Sequence, residues 1–212
     1  MIAVYRSIRQ RSEAKSEINK SLFIAYASPV ETVAAADSFL SEIRQRHREA
    51  NHHCSAYVLG RQGEQQKADD DGEPGGTAGR PILEVLSRCG VKNGMIVVVR
   101  YFGGILLGAG GLTRAYSQAA AAALTAAGIV EQRLHSRLSI EVDYAILATL
   151  ENQLRLQRYP VEGKEYADTV RLAVLAANGR EDSLRQLAAD CSAGRAIIRE
   201  NGERYLEIAP ES

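Results

Sequence analysis

The chain has 212 residues, 45% of them hydrophobic and 25% charged, which is ordinary for a soluble globular protein of one large domain or two small ones. Its formal net charge of zero excludes a global electrostatic attraction to nucleic acid, so any such binding must come from a local patch. Because the N-terminus lacks the apolar segment of a signal peptide and no run is long enough to span a bilayer, we expect a cytoplasmic protein without membrane contact.

The first half of the chain is predicted to alternate strands and helices. Glu17 to Ala27 has the β-branched and aromatic content of a strand. The segment Ser28 to Glu31 then offers a serine cap, a proline and a capping-box glutamate, which predicts a helix from Pro29 to about Glu49. A second strand is expected at Cys54 to Leu59, and a short helix at Pro81 to Cys89.

The stretch from Met95 to Ala127 organises this half. The apolar run Met95 to Val99 predicts a strand buried on both faces, and a helix rich in alanine follows, with Thr113 as its expected N-cap and Gly128 as its end. A helix start after a glycine loop can bind an anion through free backbone N–H groups. Neither GxxxxGK[ST] nor GxGxxG fits, so anion binding and simple close packing remain equal alternatives. The loop glycines are Gly103, Gly104, Gly108, Gly110 and Gly111.

The character of the chain changes after Gly128, and the second half predicts the order β-α-β-β-α-β of a ferredoxin-like domain. We place the two domains at residues 1–134 and 135–212. The predicted elements are strand Leu138 to Tyr144, helix Ala145 to Arg158, strands Val161 to Asp168 and Val170 to Ala176, helix Glu181 to Cys191, and two β segments, Arg195 to Glu200 and Arg204 to Ile208, separated by Asn201-Gly202.

An acidic loop, Asp69 to Arg80, holds three consecutive aspartates, a glutamate and four glycines. It could supply a general base with His53 as partner, while Arg80 or Arg100 stabilises negative charge. Solvated acids paired with arginines would have the same sequence, and this alternative stays open. The candidate catalytic residues are His53, Asp71, Glu73 and Arg80.

Cysteine and histidine spacing gives little support to a disulfide framework or a metal centre. Cys54, Cys89 and Cys191 are odd in number and lack CxxC spacing, as in proteins of a reducing compartment. His52 and His53 are adjacent, so on a strand they point to opposite faces, and no HxH or HExxH spacing is present. The sequence therefore predicts no metal site and no cofactor.

Aromatic and cationic residues around the glycine loop suggest a third possibility, nucleic-acid binding. Tyr101 and Phe102 lie beside Arg100, and Arg114 and Tyr116 follow the loop, so bases could stack and phosphates could be met by cations. Aromatic residues at the end of a strand also occur in ordinary cores. The candidate binding residues are Arg100, Tyr101, Gly103, Gly104, Gly108, Gly110, Gly111, Thr113 and Arg114.

Three segments, Asn51 to Tyr57, Asp70 to Leu83 and Val97 to Ala120, closely resemble the signature of the YigZ/IMPACT family. The resemblance implies an α+β protein with an N-terminal left-handed βαβ domain like domain IV of elongation factor G. It implies a C-terminal ferredoxin-like domain similar to domain V of that factor. It also implies a translation-associated role, with nucleic-acid or ribosome binding for bacterial members and kinase regulation for eukaryotic IMPACT. The motif-bearing domain begins almost at Met1, which leaves no room for the RWD module of the eukaryotic proteins, and we do not expect the kinase-regulating role.

Two main hypotheses follow. The first is a binding protein that contacts RNA, the ribosome, a translation factor or a regulatory protein through the face that carries the glycine loop. The second is an enzyme or small-ligand protein that acts on a phosphorylated or nucleotide substrate, with a phosphate at the helix start near Thr113. A third possibility is a regulator that contacts only another protein.

Overall fold

The structure is a computed structural model that describes residues 2–208. The chain divides into two compact units, Val4–Glu131 and Gln132–Ile208, and each mixes helices with an antiparallel sheet. The predicted α+β class is confirmed. Among the helices of the described range, none has the length and apolarity needed to cross a bilayer.

The elements of the first unit are β1 (Val4–Ile8), β2 (Ser12–Ile18), β3 (Ser21–Pro29), α1 (Val33–Arg46), β4 (His52–Leu59), β5 (Gln65–Asp69), α2 (Gly79–Arg88), β6 (Gly94–Tyr101) and α3 (Gly108–Ala127). The long strand β7 (Ile129–Val142) crosses the division, and the second unit continues with α4 (Tyr144–Leu156), β8 (Val161–Tyr166), β9 (Val170–Ala177), α5 (Glu181–Ser192) and β10 (Ile197–Ile208).

The N-terminal sheet has the strand order β2-β3-β6-β4-β5, with β6 at its centre. Strand β6 is antiparallel to both β3 and β4, so these two run parallel to each other and α1 connects them. Met95, Val97 and Val99 pack on the face covered by α1, whereas Ile96 and Val98 pack on the face covered by α2 and α3. The apolar run of β6 is thus buried on both faces, as its sequence predicts.

Two predicted boundaries before β4 are corrected. The strand expected at Glu17 to Ala27 is two strands, joined at Asn19-Lys20, where both residues take a positive φ as in a tight hairpin turn. The helix expected from Pro29 begins instead at Val33. Its N-cap is Thr32, whose hydroxyl oxygen accepts a hydrogen bond from the Ala35 N–H at 3.1 Å. Pro29 remains in β3 opposite Gly94, because sheet pairing continues through it.

Helix α3 starts earlier than its sequence suggests, which corrects the role given to Thr113. The helix begins at Gly108, where φ is 65°, and Thr113 lies inside it rather than at its N-cap. Its N-cap residue is Leu107, whose side chain makes no capping hydrogen bond. The predicted end is confirmed, since Gly128 is the C-cap with φ of 73°.

The C-terminal unit has the strand order β10-β7-β9-β8, which in chain order is 4-1-3-2, the ferredoxin-like arrangement predicted for it. Helices α4 and α5 bury Leu150, Leu154 and Leu184 against Leu138 and Leu172 of the sheet. One correction concerns the last two predicted β segments. They form the single strand β10, in which Gly202 takes φ of 89° without ending the strand.

Candidate functional site

A cleft of about 440 Å³ lies where the end of β6, the start of β4 and the start of α3 meet. The sheet register sets this meeting point, because His52 of β4 is directly opposite Arg100 of β6. The loop that leads from β6 to α3 forms one wall and the acidic loop forms another. Lining residues include Asn51, His52, Glu73, Arg100, Phe102 and Leu106.

The floor of the cleft is a buried ion pair. Arg100 Nη1 donates a hydrogen bond to Glu73 Oε1 at 2.8 Å, and the two side chains are only 6% and 3% exposed. The Tyr116 hydroxyl of α3 donates to the same oxygen at 2.7 Å, and Arg100 Nη2 donates to Ser21 Oγ at 3.3 Å. This network joins the acidic loop to β3, β6 and α3, so it fixes the shape of the cleft.

Neutral groups extend this network beneath the floor. Cys54 Sγ lies 3.0 Å from the Asp70 carbonyl oxygen and 3.4 Å from the Tyr116 hydroxyl oxygen. Burial raises the pKa of the Cys54 thiol to about 12, and burial also raises the pKa of Tyr116. Both groups therefore remain protonated at neutral pH, and Cys54 is not an activated nucleophile.

The two adjacent histidines of β4 lie on opposite faces, as strand geometry requires. His52 lines the cleft. Its Nδ1 is 2.9 Å from the Asp71 carbonyl oxygen, which can only accept, so Nδ1 carries the proton and Nε2 is left 3.9 Å from Glu73 Oε1. His53 lies on the α1 side, where Nε2 donates to the His47 carbonyl oxygen at 3.0 Å.

The predicted catalytic residues lie in separate places: His53 and Asp71 meet on the α1 side, where His53 Nδ1 is 3.6 Å from Asp71 Oδ2, whereas Glu73 lines the cleft. The Asp71 carboxylate is held on the α1 side, where it accepts from Arg44 Nη2 at 2.8 Å and from the His53 backbone N–H at 2.7 Å. Arg80 is 77% exposed and pairs with Glu84 one turn further along α2. Of the four candidates, only Glu73 lines the cleft.

The predicted binding residues divide into several structural roles. Arg100 is in the floor of the cleft, and the Tyr101 hydroxyl instead contacts His47 Nδ1 at 2.9 Å on the α1 side. Gly103 permits close packing, since a Cβ there would lie 2.0 Å from the Lys20 carbonyl oxygen. Gly104 takes φ of 82°, so it too has a conformational role.

The first two turns of α3 hold the remaining candidates, Gly108, Gly110, Gly111, Thr113 and Arg114. Gly108 lines the cleft. Gly110 is exposed and has room for a Cβ, whose closest neighbour would be Arg114 Nη1 at 3.8 Å. Gly111 is tighter, with Leu107 Cβ at 3.1 Å from such an atom. Arg114 is exposed, and this near-contact places its guanidinium beside the start of the helix.

Several residues of the cleft were not among the predicted site residues. Asn51 Oδ1 accepts a hydrogen bond from the Phe102 backbone N–H at 2.8 Å, which holds the beginning of the loop. Phe102 and Leu106 line the cleft and are nevertheless 44% and 86% exposed. His52 and Cys54 lie on the same face of β4, because residues two apart on a strand share a face. Strand alternation would therefore have identified His52 rather than His53 as the cleft residue if the face on which Cys54 lies had been known. No sequence signal identifies the opposition of His52 and Arg100, because strand register is not visible in a single sequence.

Asp70 fixes the far side of the acidic loop. Its Oδ1 accepts hydrogen bonds from the Ala78 and Gly79 N–H groups at 3.0 and 2.8 Å, and its Oδ2 accepts from the Gly76 N–H at 2.7 Å. Burial acts to raise the pKa of this carboxyl, but the three backbone donors outweigh it, and the pKa is held below its ordinary value. The ionised carboxylate thus caps the start of α2.

We expect Asp70→Asn to lower the free energy of unfolding by about 2 kcal/mol at neutral pH. Because the pKa of Asp70 is lower in the folded state, its contribution is complete above the unfolded pKa of about 3.9 and is lost as the pH falls through the folded value. Urea unfolding at several acid pH values should show that the difference in unfolding free energy between the variant and the wild type becomes smaller as the pH falls. Asp182→Asn, at a fully exposed carboxylate, is the control and should show little difference throughout. A difference for Asp70→Asn that stays constant with pH would contradict the capping role of the charge.

Within residues 2–208, no three His, Cys, Asp or Glu side chains come close enough together to hold a metal ion.

Comparison with known proteins relates this architecture to one family. Residues 19–124 match the Impact N-terminal domain, and residues 140–195 match a domain of unknown function (DUF1949). The chain is 38% identical over 209 residues to the IMPACT family member YvyE of Bacillus subtilis (strain 168), an alignment that covers 99% of this chain and 96% of that protein. It is 49% identical over 102 residues to the IMPACT family member YigZ of Escherichia coli (strain K12), which covers 47% and 50% of the two chains.

A solved structure described as "Crystal structure of an hypothetical protein" is also similar. It superposes with a TM-score of 0.61 at 31% identity and covers 93% of this chain and 97% of that chain. The segments that line the cleft all lie within the region that matches the Impact N-terminal domain. The chain belongs to the IMPACT family.

Proposed function

We propose that this protein is a cytoplasmic, translation-associated regulatory protein that binds RNA, free or within the ribosome. The surface that we assign to this contact is the glycine-loop face, defined as the exposed surface of residues 102–114. The observation that carries the proposal is the exposure of Phe102 and Leu106 at the rim of the cleft.

The apolar part of the glycine-loop face suits unpaired bases. Phe102, Ile105 and Leu106 follow one another closely in the loop, and all three are exposed. An aromatic ring open to solvent beside a cleft can stack on a base that is not in a duplex, which is how most sequence-specific RNA recognition is achieved. A cluster of exposed apolar side chains of this kind otherwise has no stabilising role in a folded chain.

The charge around the glycine-loop face suits phosphate. Arg114 is exposed beside the first turn of α3. Lys20 is exposed in the β2–β3 hairpin turn, where its backbone packs against Gly103. The first turn of α3 contains no acidic residue, so its N-terminus keeps the partial positive charge of a helix dipole. These local cations supply the patch that a chain with zero net charge would need.

Binding is favoured over catalysis by the state of the polar groups in the cleft. Glu73 is already bonded to Arg100 and Tyr116, and the buried Cys54 thiol is protonated at neutral pH. His53 lies beside Asp71 on the α1 side and Arg80 pairs with Glu84 on α2, so neither of these groups, which an acid–base mechanism would use, reaches Glu73 in the cleft. This arrangement supports a rigid recognition surface more than a set of reacting groups.

The proposal predicts RNA binding that weakens with salt. In an anisotropy titration with single-stranded and hairpin RNA at several salt concentrations, the logarithm of the association constant should fall linearly with the logarithm of salt. Arg114→Ala should weaken binding and reduce the magnitude of the slope by about 0.7–0.9, the value for one phosphate contact. Arg80→Ala removes another exposed arginine, which is paired within α2, and it should leave both quantities unchanged.

Co-sedimentation with ribosomes in low salt extends the test to RNA within the ribosome. The proposal would be refuted by a wild-type protein that binds neither free RNA nor ribosomes at the lowest salt concentration. Binding that is insensitive to salt would instead indicate a protein partner.

A further inference from the structure

We infer that the cleft is a site for a single nucleotide, with the base beside Phe102 and the phosphate at the N-terminus of α3. The ligand chemistry is that of a nucleoside monophosphate, either free or as an unpaired residue of an RNA strand. Binding of an unpaired residue of RNA rests on the proposed function, whereas binding of a free nucleotide does not.

The start of α3 offers the cleft a set of free backbone donors. Gly108 and Ala109 line the cleft, and the first four N–H groups of any α-helix lack intrahelical acceptors. The N-cap residue Leu107 provides no capping side chain and the first turn holds no acidic residue, so an anion there would displace no cap. The Glu73 carboxylate, which also lines the cleft, is already neutralised by its ion pair with Arg100. Arg114, beside Gly110, adds a mobile cation next to the same donors.

An independent observation in the floor also indicates a ligand. Arg100 is 5% exposed, lines the cleft, and has an Nε that is buried without a hydrogen-bond partner among residues 2–208. A buried donor of this kind is unfavourable unless something completes its hydrogen bonding. Its two terminal nitrogens are held by Glu73 and Ser21, so the guanidinium cannot turn to satisfy Nε from within the protein. A carbonyl oxygen or ring nitrogen of a base is a suitable acceptor.

The walls of the cleft combine flat apolar surface with directed polar groups. Phe102, Leu107 and Leu112 form the apolar part. Asn51 uses Oδ1 for the Phe102 N–H, so its NH₂ group is the part left to donate, and the protonated Nδ1 of His52 leaves Nε2 as an acceptor in the neutral ring. Stacking surface together with one donor and one acceptor suits the edge of a base that carries an amino group.

Gly110 supports the same assignment because neither its backbone conformation nor a close packing contact requires a glycine there. It has no positive φ, and a Cβ would meet nothing closer than 3.8 Å. Glycine inside a helix is less favourable than alanine, and this exposed glycine, next to the cleft-lining Ala109, leaves the backbone of the helix start open to a ligand.

The test is a titration of the ¹⁵N-labelled full chain with adenosine 5′-monophosphate, with adenosine and inorganic phosphate as partial ligands. We expect the amide signals of residues 108–111 to shift with adenosine 5′-monophosphate, which should bind at least about 10-fold more tightly than either partial ligand. Phe102→Ala should weaken its binding about 10-fold, the usual effect of losing one stacking partner. Tyr166→Ala removes a comparably exposed aromatic side chain from the other unit and should have no effect.

A second variant guards against loss of folding. Gly110→Ala should leave the unfolding transition close to that of the wild type, because the nearest side-chain atom to the added methyl group is Arg114 Nη1 at 3.8 Å. It should weaken adenosine 5′-monophosphate binding at least about 5-fold, because the methyl group is added in the first turn of α3, whose N–H groups we assign to the phosphate, and beside the Arg114 guanidinium. Equal affinity of this variant and the wild type would overturn the phosphate assignment.

A parallel titration with single-stranded oligoadenylate separates this inference from the proposed function. RNA binding that Phe102→Ala does not change, with no shift of residues 108–111 by adenosine 5′-monophosphate, would overturn the nucleotide site and leave RNA binding intact. Shifts with adenosine 5′-monophosphate and no binding of RNA would support the site for a free nucleotide and refute the proposed function.

Discussion

Glu73→Ala is expected to lower the free energy of unfolding of the N-terminal unit by about 3–5 kcal/mol, because it leaves the Arg100 guanidinium buried without its counter-charge. The Tyr116 hydroxyl would lose its acceptor at the same time. Amide hydrogen exchange of β6, measured at increasing urea concentrations, reports the change in the unfolding free energy of the N-terminal unit. Glu84→Ala breaks an ion pair that is exposed on α2, so it should cost no more than about 1 kcal/mol.

The double variant Glu73→Leu with Arg100→Met distinguishes charge burial from lost packing. If the cost of Glu73→Ala comes from an unpaired charge, the apolar pair should recover much of the lost stability. A double variant less stable than Glu73→Ala, or a Glu73→Ala protein no less stable than Glu84→Ala, would contradict the buried ion pair as the element that fixes the cleft.

Gly103→Ala should destabilise the same unit by about 3 kcal/mol, whereas Gly110→Ala should stay within about 1 kcal/mol of the wild type. A methyl group on Gly103 would lie 2.0 Å from the Lys20 carbonyl oxygen and 2.6 Å from the Ser21 nitrogen. Both atoms belong to the backbone of the β2–β3 hairpin, so relief requires the hairpin or the loop to move. At Gly110 the closest atom is the end of a long side chain.

Chemical denaturation of the two glycine variants side by side checks this contrast between packing and functional glycines. Equal destabilisation would show that the first turn of α3 tolerates no side chain for reasons of packing alone. In that case the glycines would not indicate a ligand.

The elements that could be predicted from the sequence are those with a strong local pattern. The continuous apolar run of β6 has one favourable environment, a strand with both faces covered, and the structure provides it. The β-α-β-β-α-β order of the second unit follows in the same way from strand-like and helical spacing. The end of α3 is also local, because Gly128 takes a backbone conformation that few other residues adopt.

The failures lie where a distant contact overrides a local signal. Ser28-Pro29 has the form of a helix start, but pairing of Pro29 with Gly94 keeps the chain in the sheet through Pro29, and the helix begins only after Thr32. Thr113 has the form of an N-cap, yet the helix has already begun at Gly108, five residues earlier. A single sequence does not show which residue pairs with Pro29, or which path the loop before α3 takes.

The composition of the cleft depends on the same non-local information. Glu73 was identified among several acids of one loop, but its partner Arg100 is fixed by the packing of that loop against β6. Arg80 is close to Glu73 in sequence and points away from it because it lies on the exposed side of α2. His52 and His53 could be separated by strand alternation, but only the structure identifies which face holds the cleft.

The most direct measurement of RNA binding at the glycine-loop face is a photo-cross-linking experiment with single-stranded RNA that contains 4-thiouridine, followed by mass spectrometry of the cross-linked peptides. We predict cross-links within residues 102–114, with Phe102 the principal site, and their loss in Phe102→Ala at unchanged stability. Cross-links confined to residues 132–208, or a pattern that Phe102→Ala leaves unchanged, would contradict it.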